Sequence, residues 1–386
     1  MKVDIFVNGK LEKWIRQIEE WKDVFEARAI ENDRDATFPF QNFNDLKNHG
    51  FFQLTVPKKY GGDEVSLYEF LLIQEYLGEA DGATALSLGW HNGIVMKIRE
   101  DQSWNENAYE SICLEIVKQG VLMNSCATEP ASGSPARGGK PQTVATKVGS
   151  DYIINGHKTF TSLAPILDYF IVTATIEDSG EVGEFLIPRE KEGLSIKPTW
   201  DTLSMRATRS DDLLLENVRV SSEALVSIRK NSKEKKPQGW LLHIPACYLG
   251  IAKAARNVAV DFAKEYTPGS LRHPISEIPE VRRKVALMDI EIKKARHMMY
   301  HVAKLWDEKP ELRSQLGDEL ASVKHVVTNS AVEIVDIAMR LVGGQSLHRS
   351  FPLERLYRDV RAGLHNPPAD DLTYMMIGNR AFEENN

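Results

Sequence analysis

Cysteine is scarce in this 386-residue chain: Cys113, Cys126 and Cys247 lie far apart and form no CxxC pair. Any pairing leaves one thiol over, so a disulfide-stapled scaffold is excluded and a reducing cytoplasm is the expected location. Long apolar runs are missing too. No uninterrupted stretch of 18 or more apolar residues occurs, and the opening MKVDIFVNGK has no apolar signal core, so neither membrane insertion nor secretion is expected. Basic excess is absent: the net charge is -7, which gives no field attracting nucleic acid or an anionic membrane. The one dense basic run, Arg229 and Lys230 followed by Lys233, Lys235 and Lys236, lies among Asn, Ser, Pro and Gly and reads as a solvated linker. Internal repeats and low-complexity tracts are also lacking.

What remains is an ordinary globular composition, 42% hydrophobic and 27% charged, in a chain too long for one core. Its order is unusual. Residues 1–124 carry helical spacing, as in LEKWIRQIEEWKDVFEARAIE and LYEFLLIQEYLGEA, with Ser66 and Glu69 placed as a capping box. Residues 125–228 hold short β-rich runs, YIIN, YFIVTATI, EFLIP, LSIKP and DLLLENVRV, separated by polar or Gly-containing turns. After a linker over 229–239, residues 240–386 return to helical periodicity in three long segments and a fourth through LTYMMIGNRAF. The expected fold class is α+β: an N-terminal helical domain, a central antiparallel β-domain and a C-terminal four-helix bundle.

Four motifs in order resemble the acyl-CoA dehydrogenase superfamily across nearly the whole chain. They are VPKKYGGDEVSLYEF at Val56–Phe70, CATEPASGS at Cys126–Ser134, DYIINGHKTFTS at Asp151–Ser162, and LVGGQSLHRSFPLERLYRDVR at Leu341–Arg361. Each alone has an ordinary reading as a turn, a core aromatic or a helix end; their order carries the resemblance. It implies FAD as cofactor. Cys126 and Thr128 then belong to the loop facing the polar edge of the isoalloxazine, Phe160 stacks on a ring face, and the Ser162 hydroxyl stands near flavin N5. Gly343 and Gly344 let backbone approach the adenosine portion. Ser134 is the substrate-binding candidate. The family's grip on the cofactor is altered here: Ser346 replaces a third Gly, Arg340 replaces a Gln, and Pro268 stands where an Arg reaches the pyrophosphate, with Arg272 as the nearest substitute.

The reacting end departs further. The resemblance implies an acyl-CoA thioester whose α-proton goes to a Glu while hydride goes to the flavin. Eight residues beyond Arg358-Asp359 that Glu position holds Pro367, and the alternative position on the first bundle helix holds Trp240. Proline offers neither a carboxylate nor an N–H. Asp370 and Asp371 are the nearest acids, although the segment also reads as a helix start. The LHNPP segment at Leu364–Pro368 resembles the flavin-dependent monooxygenase branch, which nominates His365, His91 and Ser162. Dehydrogenation is the leading expectation because it prevails in the family, with electron-transfer flavoprotein as acceptor. A two-component monooxygenase fed by a flavin reductase, and a flavin-binding protein without turnover, are the alternatives. The resemblance also implies a homotetramer or homodimer. His297 and His301, four apart, have no identifiable third ligand and read as an ordinary helix face, so no metal is expected.

Overall fold

The computed structural model describes residues 4–7, 9–131, 139–229 and 236–383. The N-terminal helices are α1 (Glu12–Asp35), α2 (Phe40–Asn48), α3 (Leu67–Ala80), α4 (Gly82–Asp101) and α5 (Glu106–Gln119). The capping box starts α3 as expected: the Ser66 hydroxyl accepts from Glu69 N–H at 3.3 Å, and the Glu69 carboxylate accepts from Ser66 N–H at 2.9 Å. Asp307 adds a second cap from the far end of the chain, accepting from Leu67 and Tyr68 N–H at 2.9 and 2.8 Å. Helix α4 carries no polar stripe, because it is buried on nearly all sides.

Strands β1 (Met123–Cys126), β2 (Val144–Val148), β3 (Asp151–Lys158), β4 (Tyr169–Ile176), β5 (Val182–Pro188), β6 (Leu194–Lys197), β7 (Asp212–Ser221) and β8 (Leu225–Ile228) form one sheet in the order β6-β7-β3-β2-β4-β5-β8, with β1 off this path and paired to β4. Its pairings are antiparallel except that β1 and β2 run parallel to β4, which departs from the wholly antiparallel sheet expected. β1 lies along residues 169–172 of β4 and β2 along 175–176, so the chain leaving β1 passes the start of β2 and meets the segment following β3.

The C-terminal helices are α6 (His243–Glu265), α7 (Pro279–Glu308), α8 (Gly317–Val342), α9 (Pro352–Val360) and α10 (Asp370–Glu383). Helices α3 and α6 cross closely. A Cβ on Gly78 would lie 2.4 Å from the Cys247 carbonyl oxygen and one on Gly250 2.2 Å from that of Glu75, so backbone contact requires both glycines. Beside this crossing, buried Glu75 is matched by Lys253 at 2.7 Å, Arg296 at 3.1 Å and the Tyr300 hydroxyl at 2.6 Å. All three cysteines are free and buried. Among the described residues no helix is long and apolar enough to cross a membrane, and no cluster of metal-ligating side chains occurs.

Candidate active site

Three segments converge at one end of the sheet. Thr159 N–H donates to Thr128 O at 3.0 Å, the Asn124 amide to Ser162 O at 3.1 Å, Thr161 N–H to Asp211 O at 3.2 Å, and Leu163 N–H to Thr208 O at 3.2 Å. The loop after β1, the turn after β3 and the loop before β7 are thereby stitched together. Of the sequence candidates, Cys126, Thr128, Phe160 and Ser162 fall here; Ser134 lies outside the described residues.

Phe160 is the conspicuous member. The residue is 59% exposed, its backbone is left-handed at φ 57°, and its ring meets that of Trp200 at 5.9 Å and 90°. A bulky residue with positive φ costs energy, and an open aromatic face in water adds no burial to offset it. Both features suit a ring held out to cover a flat ligand. Cys126 is a buried thiol whose pKa burial pushes up to about 12, so it stays protonated and contributes shape.

Ser162 ends a line of hydroxyls. Its Oγ lies 2.8 Å from Ser210 Oγ, Ser210 Oγ lies 2.9 Å from Thr208 Oγ1, and Thr208 Oγ1 reaches Met205 O at 2.9 Å. Sequence reading missed Thr208 and Ser210. They sit in the short polar stretch RATRSDD, which has no periodicity, and Ser210 is 48 residues from its partner.

Met205 joins this sheet end to the bundle. Its N–H donates at 2.7 Å to buried Asp359, whose pKa burial pushes up to about 6 against the pull of Arg355. Arg358 pairs with Asp33 at 2.6 Å and Glu354 at 2.7 Å and donates to Leu203 O at 2.9 Å. The Arg-Asp dipeptide therefore clasps α1, α9 and the loop before β7. From α9 the chain turns through 361–368, where Gly363 presses on the Tyr248 ring and the Tyr248 hydroxyl donates to Asn366 at 2.6 Å. His365 is exposed on this turn, beside Pro367.

The remaining candidates are placed differently. Asp370 starts α10 with its carboxylate turned to α8, where it accepts from Asn329 at 3.1 Å and lies 3.1 Å from His325 Nδ1 and 3.8 Å from Lys324 Nζ. Burial raises its pKa, but the bonds to Asn329 and His325 and the Lys324 charge outweigh this and hold it below the usual carboxylate value. His91 is fully buried on α4. Met123 N–H donates to its Nδ1 at 3.1 Å, so the proton sits on Nε2, which donates to Phe52 O at 2.9 Å. Burial drives its pKa down to about 4 against the opposing pull of the Phe52 and Met123 carbonyl oxygens; the ring is neutral and has no free nitrogen. Arg272, Arg340, Gly343 and Gly344 lie on exposed parts of the bundle. Among the described residues no hydrogen bond or ring contact ties them to Phe160, and a Cβ on either glycine would meet nothing within 4 Å.

A second unforeseen group surrounds Trp240. Buried His243 stacks on it at 5.7 Å and 11° and meets Trp90 edge-on at 4.8 Å. His243 Nδ1 donates to Trp240 O at 2.9 Å, leaving His243 Nε2, Trp240 Nε1 and Ser87 Oγ buried without hydrogen-bond partners. Burial lowers the His243 pKa to about 4.

Family models of the acyl-CoA dehydrogenase N-terminal, middle and C-terminal domains match residues 13–101, 124–218 and 242–364. The chain is 46% identical to the Bacillus subtilis (strain 168) protein named "Putative acyl-CoA dehydrogenase YdbM", over 97% of this chain and 98% of that one. Among solved structures, butyryl-CoA dehydrogenase from Megasphaera elsdenii superposes with a TM-score of 0.87 at 21% identity, covering 98% of this chain and all of the other, 100%. TdsC from Paenibacillus sp. A11-2, a dibenzothiophene monooxygenase solved with FMN and indole, gives 0.86 at 22% identity, covering 96% and 97%. The matches run in chain order through all three parts of the molecule, and the chain belongs to the acyl-CoA dehydrogenase family.

Proposed function

We propose that this protein is a flavin oxidoreductase that binds FAD against Phe160, Thr128 and Ser162 and turns over with reduced flavin and oxygen on a small organic substrate. The residues at the sheet end fit a flavin: an outward aromatic face, a buried hydroxyl line ending at Ser162 two residues on, and a protonated thiol behind them. The fold leaves the reaction open, because a dehydrogenase and a monooxygenase both share it. What favours oxygen chemistry is that Pro367 stands where the resemblance expects the Glu base. Pro367 occupies the turn, and the Asp370 carboxylate is held by α8 with a lowered proton affinity, which makes it a poor acceptor for a thioester α-proton.

Bound reduced flavin supplies two electrons, so that one atom of O2 enters the substrate and the other leaves as water. His365, exposed on the turn, is the proposed proton carrier. His91 is assigned a positioning role, tying α4 to β1 three residues before Cys126. A flavin reductase is the proposed electron source. Arg272, Arg340, Gly343 and Gly344 are proposed to meet the cofactor of a second copy, which gives a homo-oligomer through the bundle.

Dehydrogenation with Asp370 or Asp371 as base is the second reading, favoured by the name of the 46% identical relative. Anaerobic mixing of the flavin-loaded protein with a panel of acyl-CoA thioesters separates the two through flavin absorbance near ~450 nm. The oxygen reading expects no bleaching, and bleaching by any thioester would overturn it.

A further inference from the structure

A reducible ligand places a particular demand on the residue beside it. A flavin ring nitrogen that takes up a proton on reduction changes from hydrogen-bond acceptor to donor, so a neighbouring hydroxyl must reverse its role. A lone buried serine would then leave its own proton without an acceptor in one of the two states. Ser162 is 7% exposed, so its partners are those the protein supplies.

The hydroxyl line supplies them in both directions. Pointing inward, Ser162 donates to Ser210, Ser210 to Thr208 and Thr208 to Met205 O, which leaves the Ser162 oxygen free to accept. Pointing outward, Thr208 donates to Ser210 and Ser210 to Ser162, so that Ser162 donates to the ligand. Met205 O loses nothing essential in the second arrangement, because it still accepts from Trp200 Nε1 at 3.0 Å and Thr208 N–H at 3.1 Å. All three hydroxyls are buried, so no competing water is needed to satisfy either direction.

We infer that Ser210 and Thr208 are positioning residues forming a reversible hydroxyl relay, which lets Ser162 accept from a protonated flavin nitrogen in the reduced state and donate to it in the oxidised state. The inference rests on the flavin reading above. Removing either inner hydroxyl affects the two directions unequally. Without Ser210 the inward-pointing Ser162 proton has no acceptor, and without Thr208 the Ser210 proton has none, whereas the outward direction keeps a donor on Ser162 in both cases. Reduced flavin is the form that loses.

The test measures the midpoint potential of the bound flavin, with affinities for oxidised and reduced flavin, in wild type, Ser210→Ala, Thr208→Val and the conservative Ser210→Thr. Both disruptive variants are expected to weaken reduced-flavin binding about tenfold more than oxidised. For a two-electron couple this moves the potential about 30 mV more negative. Ser210→Thr restores it. Two separate inner positions keep the test open should one variant fail to fold. An unchanged or more positive potential in a folded, flavin-loaded variant would overturn the relay. A wild-type protein that binds no flavin would instead overturn the functional reading, and the relay with it.

Discussion

Glu129 supports the loop that carries Thr128, and replacing it with Gln gives a prediction whose size follows from the structure. Its Oε1 accepts from Lys158 Nζ at 2.6 Å and from Thr143 N–H and Oγ1 at 3.0 and 2.7 Å, while Oε2 accepts from Gln142 N–H at 2.7 Å. The Lys158 side chain is 0% exposed and that of Glu129 3%, so neither charge is shared with water. Burial raises the Glu129 pKa, but the Lys158 and Thr143 bonds more than offset this and hold it at about 2, against an ordinary 4.5. A difference of that size corresponds to roughly 3 kcal/mol of folding stability. A folded-state pKa depressed below the unfolded one means that this stability is complete above pH 4.5 and is lost as pH falls toward 2. Glu129→Gln exchanges one acceptor oxygen for a donor facing other donors and strands a buried ammonium, for which about 3–5 kcal/mol is typical, so the two routes agree. Urea unfolding of Glu129→Gln at pH 7 should show a loss of at least about 3 kcal/mol, and adding Lys158→Met should recover about half or more. A loss under about 1 kcal/mol, or a double variant no more stable than the single one, would refute this account of the pair.

Three further outcomes follow from the geometry. Phe160→Gly relieves a left-handed backbone while removing the exposed ring, so thermal melting should show a gain of roughly 0.5–1 kcal/mol alongside weaker flavin binding; lost stability would mean the ring packs in the free protein. His91 and His243 have folded-state pKa values of about 4, below an ordinary 6.5. Each therefore favours folding fully above pH 6.5 and withdraws up to about 1.4 kcal/mol per pH unit as pH falls toward 4, so denaturation midpoints should drop over that window and flatten in His91→Gln. His365→Ala should lower oxygen-dependent turnover by about 100-fold with flavin affinity unchanged, whereas Asp370→Asn should leave turnover within about threefold; the reverse pattern in steady-state rates would restore the dehydrogenase reading.

Much of the fold was legible because it is written locally. Amphipathic spacing marks α1, α7 and α8, where burial is one-sided, and local composition marks the rest: apolar helix formers in α3 and α6, and β-branched and aromatic runs in β3 to β7, of which β4 is buried on both faces. Helix α4 has no such period, because it is surrounded and its glycines at 89 and 93 let the His243 and Trp240 rings come close. Strands β1, β2 and β8 have only four or five residues each and are not picked out from the sequence, whereas β6, equally short, shows the apolar-polar alternation LSIK. Phe160 and Ser162 could be nominated from a motif; the left-handed backbone and the exposure of Phe160 could not.

By itself the sequence determined the helix, strand, helix order and the family, because each depends on residue identity or local periodicity. Tertiary structure decided what the site residues can do. It turned Asp370 toward α8, closed both nitrogens of His91 with backbone from two other segments, and brought Ser210 and Thr208 behind Ser162. The reason is physical: proton affinity and hydrogen-bond direction are set by neighbours within a few ångström, and here those neighbours come from parts of the chain 30 to 50 residues away.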